Sequence, residues 1–155
     1  MAKEIERKFL VNGDAYRDDA TARIRMLQGY LADTAHCSVR VRLEGEQARI
    51  SVKSAGLDIE RDEFEYPIPV ADAEGMLERL CEGGRVAKTR YLVPFRGMTW
   101  EVDEFHGDNQ GLVVAEVELE DRHQQFDLPP WIDREVSGDP RYLNTNLAKR
   151  PFRQW

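Results

Sequence analysis

The sequence predicts a mainly β (α+β) fold of about eight antiparallel strands with a few covering helices, and two observations carry that expectation. Polar and apolar residues alternate with period two through most of the chain, as side chains must when a strand has two different faces. The alternating runs are joined by short turn-forming segments, Glu44-Gly45-Glu46-Gln47, Ser54-Ala55-Gly56-Leu57 and Arg96-Gly97-Met98, which make sequence neighbours hairpin neighbours.

Taken in order, strands are expected at about 3–10, 26–33, 37–44, 47–54, 58–68, 85–95, 98–106 and 112–120. Residues 11–25, polar and rich in Asp, Ala and Arg, read as a loop or partly helical excursion bordering a cavity mouth. Val70 to Cys81 reads as a helix after Pro69, with Met76, Leu77 and Leu80 on one face and Gly83-Gly84 as the stop. A shorter helix is expected from Pro140, carrying Tyr142, Leu143 and Leu147 before Pro151. Between Asp121 and Asp139, Gln124, Phe126 and Leu128 fit a short helix or a loop before Pro129-Pro130-Trp131. No linker or repeat divides the 155 residues, so 1–155 is expected to be one domain.

Composition removes several function classes. The formal net charge of -7, from 22 basic and 29 acidic residues, argues against a nucleic-acid surface but leaves room for a locally basic site that binds a small polyanion. Cys37 and Cys81 stand apart with no CxxC, as expected in a reducing compartment, and His36, His106 and His123 lack zinc-ligand spacing. No apolar run is long enough to span a bilayer and charge begins at Lys3, so a cytoplasmic protein is expected.

The charged positions fall on one face of each strand. Glu4, Glu6 and Lys8 share a side; Arg40 and Arg42 oppose Val39, Val41 and Leu43; Ser51 and Lys53 oppose Ile50 and Val52. Glu63 with Glu65, Lys88 with Arg90, Glu101 with Asp103, and Glu116 with Glu118 repeat the pattern. One account is a sheet with a solvated face. The other curls the sheet so that charge lines the interior, which is tolerable only when charges are paired or engaged with ligand and metal. The arginines and paired acids suit phosphate and hard divalent cations respectively.

These residues resemble the CYTH superfamily, the triphosphate tunnel metalloenzymes. The likeness is carried by ExExK at Glu4–Lys8, RxR at Arg40–Arg42, Lys53, the acid pair Glu63 and Glu65, KTRY at Lys88–Tyr91 and ExE at Glu116–Glu118. It implies an eight-stranded antiparallel β-barrel, open as a tunnel with a charged interior, that hydrolyses a triphosphate with Mg²⁺ or Mn²⁺. The short bacterial members cleave inorganic tripolyphosphate, while others make cyclic AMP or hydrolyse thiamine triphosphate, and fold alone does not choose among them.

On that likeness Lys8, Arg40, Arg42, Lys53 and Arg90 are expected on phosphate oxygens. Glu4, Glu6, Glu116 and Glu118 are expected on metal, and Asp103, with Glu101, as a further metal ligand or as a group that supports the ligands from behind. Glu63 and Glu65 would position the attacking water or orient the basic groups, and Lys88 would protonate or screen the leaving pyrophosphate. Arg61 shares a face with Glu63 and so could reach substrate, but its place at a strand start favours a surface salt bridge; Tyr142 is expected at one tunnel mouth or in a solvated terminus, and Lys149, Arg150 and Arg153 in the solvated terminus. The expected partner is a triphosphate small molecule, with neither nucleic acid nor membrane, and a homodimer is one way to cover the outward apolar faces. The competing functions are an organic-triphosphate enzyme and a polyphosphate-binding module without turnover.

Overall fold

In the computed structural model, which describes residues 2–155, the chain forms nine strands: β1 (Lys3–Val11), β2 (Ala22–Asp33), β3 (Cys37–Glu44), β4 (Gln47–Ser54), β5 (Glu60–Pro67), β6 (Glu82–Phe95), β7 (Met98–Phe105), β8 (Val113–Glu118) and β9 (Ile132–Glu135). Three helices accompany them, α1 (Tyr16–Asp19), α2 (Val70–Arg79) and α3 (Asn144–Lys149). The sheet order is β5-β4-β3-β2-β6-β7-β8-β1-β9, and a further β5–β1 pairing closes the first eight into an antiparallel barrel.

Closure depends on β1 using both edges. One edge pairs with β8 from Glu6 to Leu10. The other is divided, with Lys3–Ile5 against β5 and Phe9–Val11 against β9. Between those stretches Val136 N donates to the Lys8 carbonyl at 2.8 Å, and Lys8 N donates to Ser137 Oγ at 2.9 Å. The β1 backbone therefore stays satisfied across the seam.

Period-two patterning locates every barrel strand, and the differences lie at ends and in loops. β2 starts at Ala22, four residues before the expected 26, because Ala22–Arg25 continue the ladder against Thr89–Leu92. Residues 11–25 do not border the cavity: Tyr16 of α1 is buried against Tyr91 and Trp131, with ring centroids 5.5 and 5.8 Å away. α2 stops at Arg79, and Gly83-Gly84 belong to β6 instead of the helix stop. Within the 121–139 stretch lies β9, which its polar sequence IDRE does not announce. The C-terminal helix is a 3-10 turn at Pro140–Tyr142 followed by α3.

Apolar residues occupy three places. One outer core joins Phe9, Tyr16, Trp100, Val102, Val117 and Trp131 beneath α1 and the 119–131 segment. A second packs Ala73 and Leu77 of α2 on Val41 and Ala48. The third stoppers one end of the barrel, where Val86, Phe105 and Val114 meet Tyr142, Leu147 and Ala148. α3 lies so close to β6 that a Cβ on Gly84 would fall 2.7 Å from the Ala148 carbonyl oxygen, so glycine is required there. Phe64 and Tyr66 of β5 stay 46% and 58% exposed.

Candidate active site

The barrel interior holds a polar cavity of about 160 Å³. Of the predicted site residues, all but Asp103 reach its wall, together with Glu101. The charges are largely sorted: β3, β4 and β6 supply Arg40, Arg42, Lys53, Lys88 and Arg90, β1, β7 and β8 supply Glu4, Glu6, Glu101, Glu116 and Glu118 with Lys8 as the one cation among them, and β5 supplies Arg61, Glu63 and Glu65.

Register explains the acidic wall. Glu6 is directly opposite Glu118, and Glu101 directly opposite Glu116. Like charges facing across a ladder repel, so this arrangement costs stability unless a cation neutralises it. Oxygens of Glu6, Glu101 and Glu116 lie within 4.8 Å of one another, a set of hard ligands fit for a small divalent cation. Burial, then Glu116 and Glu4, push the Glu6 carboxyl well above the usual range. Burial also opposes ionisation of Glu116, but Lys8, Arg90 and Lys88 together hold that carboxyl well below its ordinary value.

Two expected ligands are placed differently. Asp103 is fully buried and takes Lys88 Nζ at 2.8 Å while accepting from Arg90 Nε and Nη2 at 2.8 and 2.9 Å. Both of its oxygens serve the basic wall from beneath and neither faces the cavity. Glu4 turns from Glu6 toward β4: Lys53 Nζ lies 3.0 Å from each of its oxygens, and Arg61 Nη2 is 3.8 Å away. Arg61 thus lines the cavity, the less favoured of its two expected places.

The remaining predicted residues are also held by partners. Glu63 accepts from Ser51 Oγ at 3.3 Å and sits 3.5 Å from Lys53. Glu65 accepts from Arg40 Nη2 at 3.3 Å. Lys8 Nζ donates to the Tyr142 carbonyl at 3.1 Å and lies 3.8 Å from Glu116. Burial brings Lys88 down to about 8, against the pull of Asp103 and with the repulsion of Arg90. Arg90 Nη1 donates to Glu101 at 2.8 Å. Arg40 Nε is buried with no partner among the described residues, a donor aimed where an anion would be welcome.

Sequence reasoning missed Tyr30, Gln28 and Asn144. Tyr30 lines the cavity and its hydroxyl accepts from the buried Gln28 Nε2 at 3.2 Å. Both lie on the inner parity of β2 with Met26, a legible signal that draws no notice beside charged neighbours. Lys88 Nζ donates to Asn144 Oδ1 at 3.4 Å, a contact that only the docking of α3 creates. The basic tail is at the surface, where Lys149 pairs with Asp33, but Tyr142 is buried in the stopper.

Residues 2–152 match the CYTH domain family. An inorganic triphosphatase of Acetivibrio thermocellus is 50% identical over 155 residues, covering 100% of this chain and 99% of the relative. An inorganic triphosphatase of Nitrosomonas europaea is 40% identical over 149 residues, covering 94% and 96%. The crystal structure of the inorganic triphosphatase NE1496 superposes with a TM-score of 0.68 at 37% identity, covering 96% of this chain and 95% of that one. A Pyrococcus horikoshii protein, PH1012, shares the fold at TM-score 0.59 and 20% identity, covering 77% and 80%.

Proposed function

The chain belongs to the CYTH domain family, and from that premise we propose that it hydrolyses inorganic tripolyphosphate to pyrophosphate and phosphate inside the barrel with a divalent cation, Mg²⁺ or Mn²⁺. The observation that carries this reading is a cavity with a basic wall facing an acidic one, and the names of the two relatives support the substrate. Apart from Tyr30, its lining offers no aromatic surface to a nucleobase, since Trp100 and Trp131 belong to the outer core.

Lys8, Arg40, Arg42, Lys53 and Arg90 bind the phosphate oxygens, the arginines through planar forks suited to two oxygens at once. Glu6, Glu101 and Glu116 would hold the cation, with Glu118 across from Glu6 completing the acidic face. A bound divalent ion there supplies charge neutralisation and acidifies a coordinated water. Asp103 positions Lys88 and Arg90 without touching metal, and Glu4, Glu63 and Glu65 orient Lys53 and Arg40. Water oxygen bonds to a terminal phosphorus and gives up a proton to bulk solvent, the phosphoanhydride P–O bond breaks, and Lys88 donates a proton to the departing pyrophosphate and regains one from solvent.

Phosphate release from tripolyphosphate, ATP and thiamine triphosphate, each with Mg²⁺, Mn²⁺ or EDTA, tests the reading. Metal-dependent release confined to tripolyphosphate is expected; preference for an organic triphosphate, or binding without release, overturns it. We also place the enzyme in the cytoplasm, in keeping with two free cysteines and the lack, among the described residues, of a helix able to cross a membrane. The exposed Phe64 and Tyr66 face is where a second copy would pack, and sedimentation velocity of wild type and Tyr66→Lys decides that.

A further inference from the structure

Arg42 on β3 and Arg49 on β4 are direct cross-strand partners, two like charges side by side on the inner face of the barrel. Two carboxylates make this possible, and each divides its oxygens between an arginine of the cavity wall and Arg49 beyond it. Glu44 Oε1 accepts from Arg42 Nε at 2.6 Å and also pairs with Arg42 Nη2, while its Oε2 lies 3.5 Å from Arg49 Nε. Glu65 Oε2 accepts from Arg40 Nη2 at 3.3 Å while its Oε1 accepts from Arg49 Nη1 at 2.9 Å. Arg49 is 41% exposed and does not line the cavity.

We propose that Arg49 is a positioning residue that sets the affinity of the cavity for triphosphate by holding one oxygen of Glu44 and one of Glu65 away from Arg42 and Arg40. This rests on the reading of the cavity as a triphosphate site. The carboxylates and the phosphate compete for the same two guanidinium groups. With Arg49 in place, one oxygen of each carboxylate is drawn away, and the nitrogens of Arg42 and Arg40 that the carboxylates do not reach, the buried Arg40 Nε among them, stay available to a second anion. Without it, both carboxylates turn their full charge onto Arg42 and Arg40, and incoming phosphate must displace them.

Steady-state kinetics with tripolyphosphate, and calorimetric binding of tripolyphosphate in EDTA, test this on four variants. Arg49→Ala is expected to raise KM and weaken binding about three- to tenfold with kcat within about twofold, the size of one or two rim ion pairs. Arg49→Lys should fall between, because a single ammonium cannot span two carboxylates as a guanidinium does. Glu44→Gln alone should lower KM about two- to threefold, a gain that misfolding does not produce, and adding it to Arg49→Ala should recover most of the loss. An unchanged KM in Arg49→Ala, an equal fall in kcat, or a double variant as weak as Arg49→Ala overturns the inference; the last would make Arg49 a direct phosphate contact. A wild-type chain that neither binds nor hydrolyses tripolyphosphate overturns the functional reading itself.

Discussion

The two faces of β7 obey opposite rules. Outward, Trp100 and Val102 sit in an aromatic cluster where Trp100 meets Phe9 edge-on at 5.6 Å and Trp131 at 6.0 Å. Inward, Glu101 and Asp103 face cations and other acids. The outer face contributes stability through apolar burial and edge-to-face packing. The inner face gathers charges whose desolvation opposes folding, and it is held in shape by ion pairs. The barrel is thus inverted, and the face to which we assign the chemistry is the one that costs stability.

The largest effect is expected on the outer face. Trp100→Ala leaves a void among rings and should cost about 3–5 kcal/mol, read from denaturant melts. A loss below about 1 kcal/mol would mean the aromatic cluster is not a main source of the barrel's stability. Inside, Glu6→Gln and Glu116→Gln should separate activity from stability. Metal-dependent turnover should fall by about a hundredfold or more, while Glu6→Gln, by relieving the repulsion around Glu118 and Glu116, leaves the melting temperature unchanged or higher. Normal activity in both variants would remove the metal-site assignment.

Asp103→Asn sharpens the comparison within the interior, since it strands two buried cations instead of relieving acids. A loss of about 3 kcal/mol is expected, with activity falling alongside. Retention of wild-type stability would show that Lys88 and Arg90 do not depend on it.

The smallest effect concerns pH. On the outer face of β7, Glu104 accepts from Arg17 Nε at 2.6 Å and is bonded to the Tyr16 hydroxyl. Burial opposes its charge, but the bonds from Arg17 and Tyr16 hold its carboxyl below the ordinary range. Its folded pKa is therefore depressed, so its contribution is present above the ordinary carboxylate range and fades as pH falls through the folded value. Glu104→Gln should cost about 1–2 kcal/mol at neutral pH and markedly less near pH 3, in melts at both values. An equal cost at both would assign the effect to packing of Tyr16.

The inner set was legible because parity along a strand is local. Once Glu4, Glu6 and Lys8 alternate with Ile5, Arg7 and Phe9, their common side follows from backbone geometry. β9 was not legible, because IDRE has neither alternation nor β-branched density and pairs only because β1 has an edge to spare. Gln28 and Tyr30 could be placed on the inner face but not singled out, since nothing in their spacing shows that they touch.

The sequence by itself determined which residues share a face, about how many strands there are and which signs of charge lie together, while the choice of that face as the interior of a closed barrel came from the family resemblance and the β5–β1 pairing. Only the tertiary structure decided which charge meets which. Glu4 and Glu6 share a face, yet closure against β5 gives Glu4 to Lys53, while pairing with β8 brings Glu6 to Glu116 and Glu101. Asp103 has the same parity as Glu101, but two cations of β6 hold it beneath the wall. The reason is physical: alternation is fixed between adjacent residues, whereas neighbours across the barrel are set by strand register and by a seam joining segments that are remote in the chain.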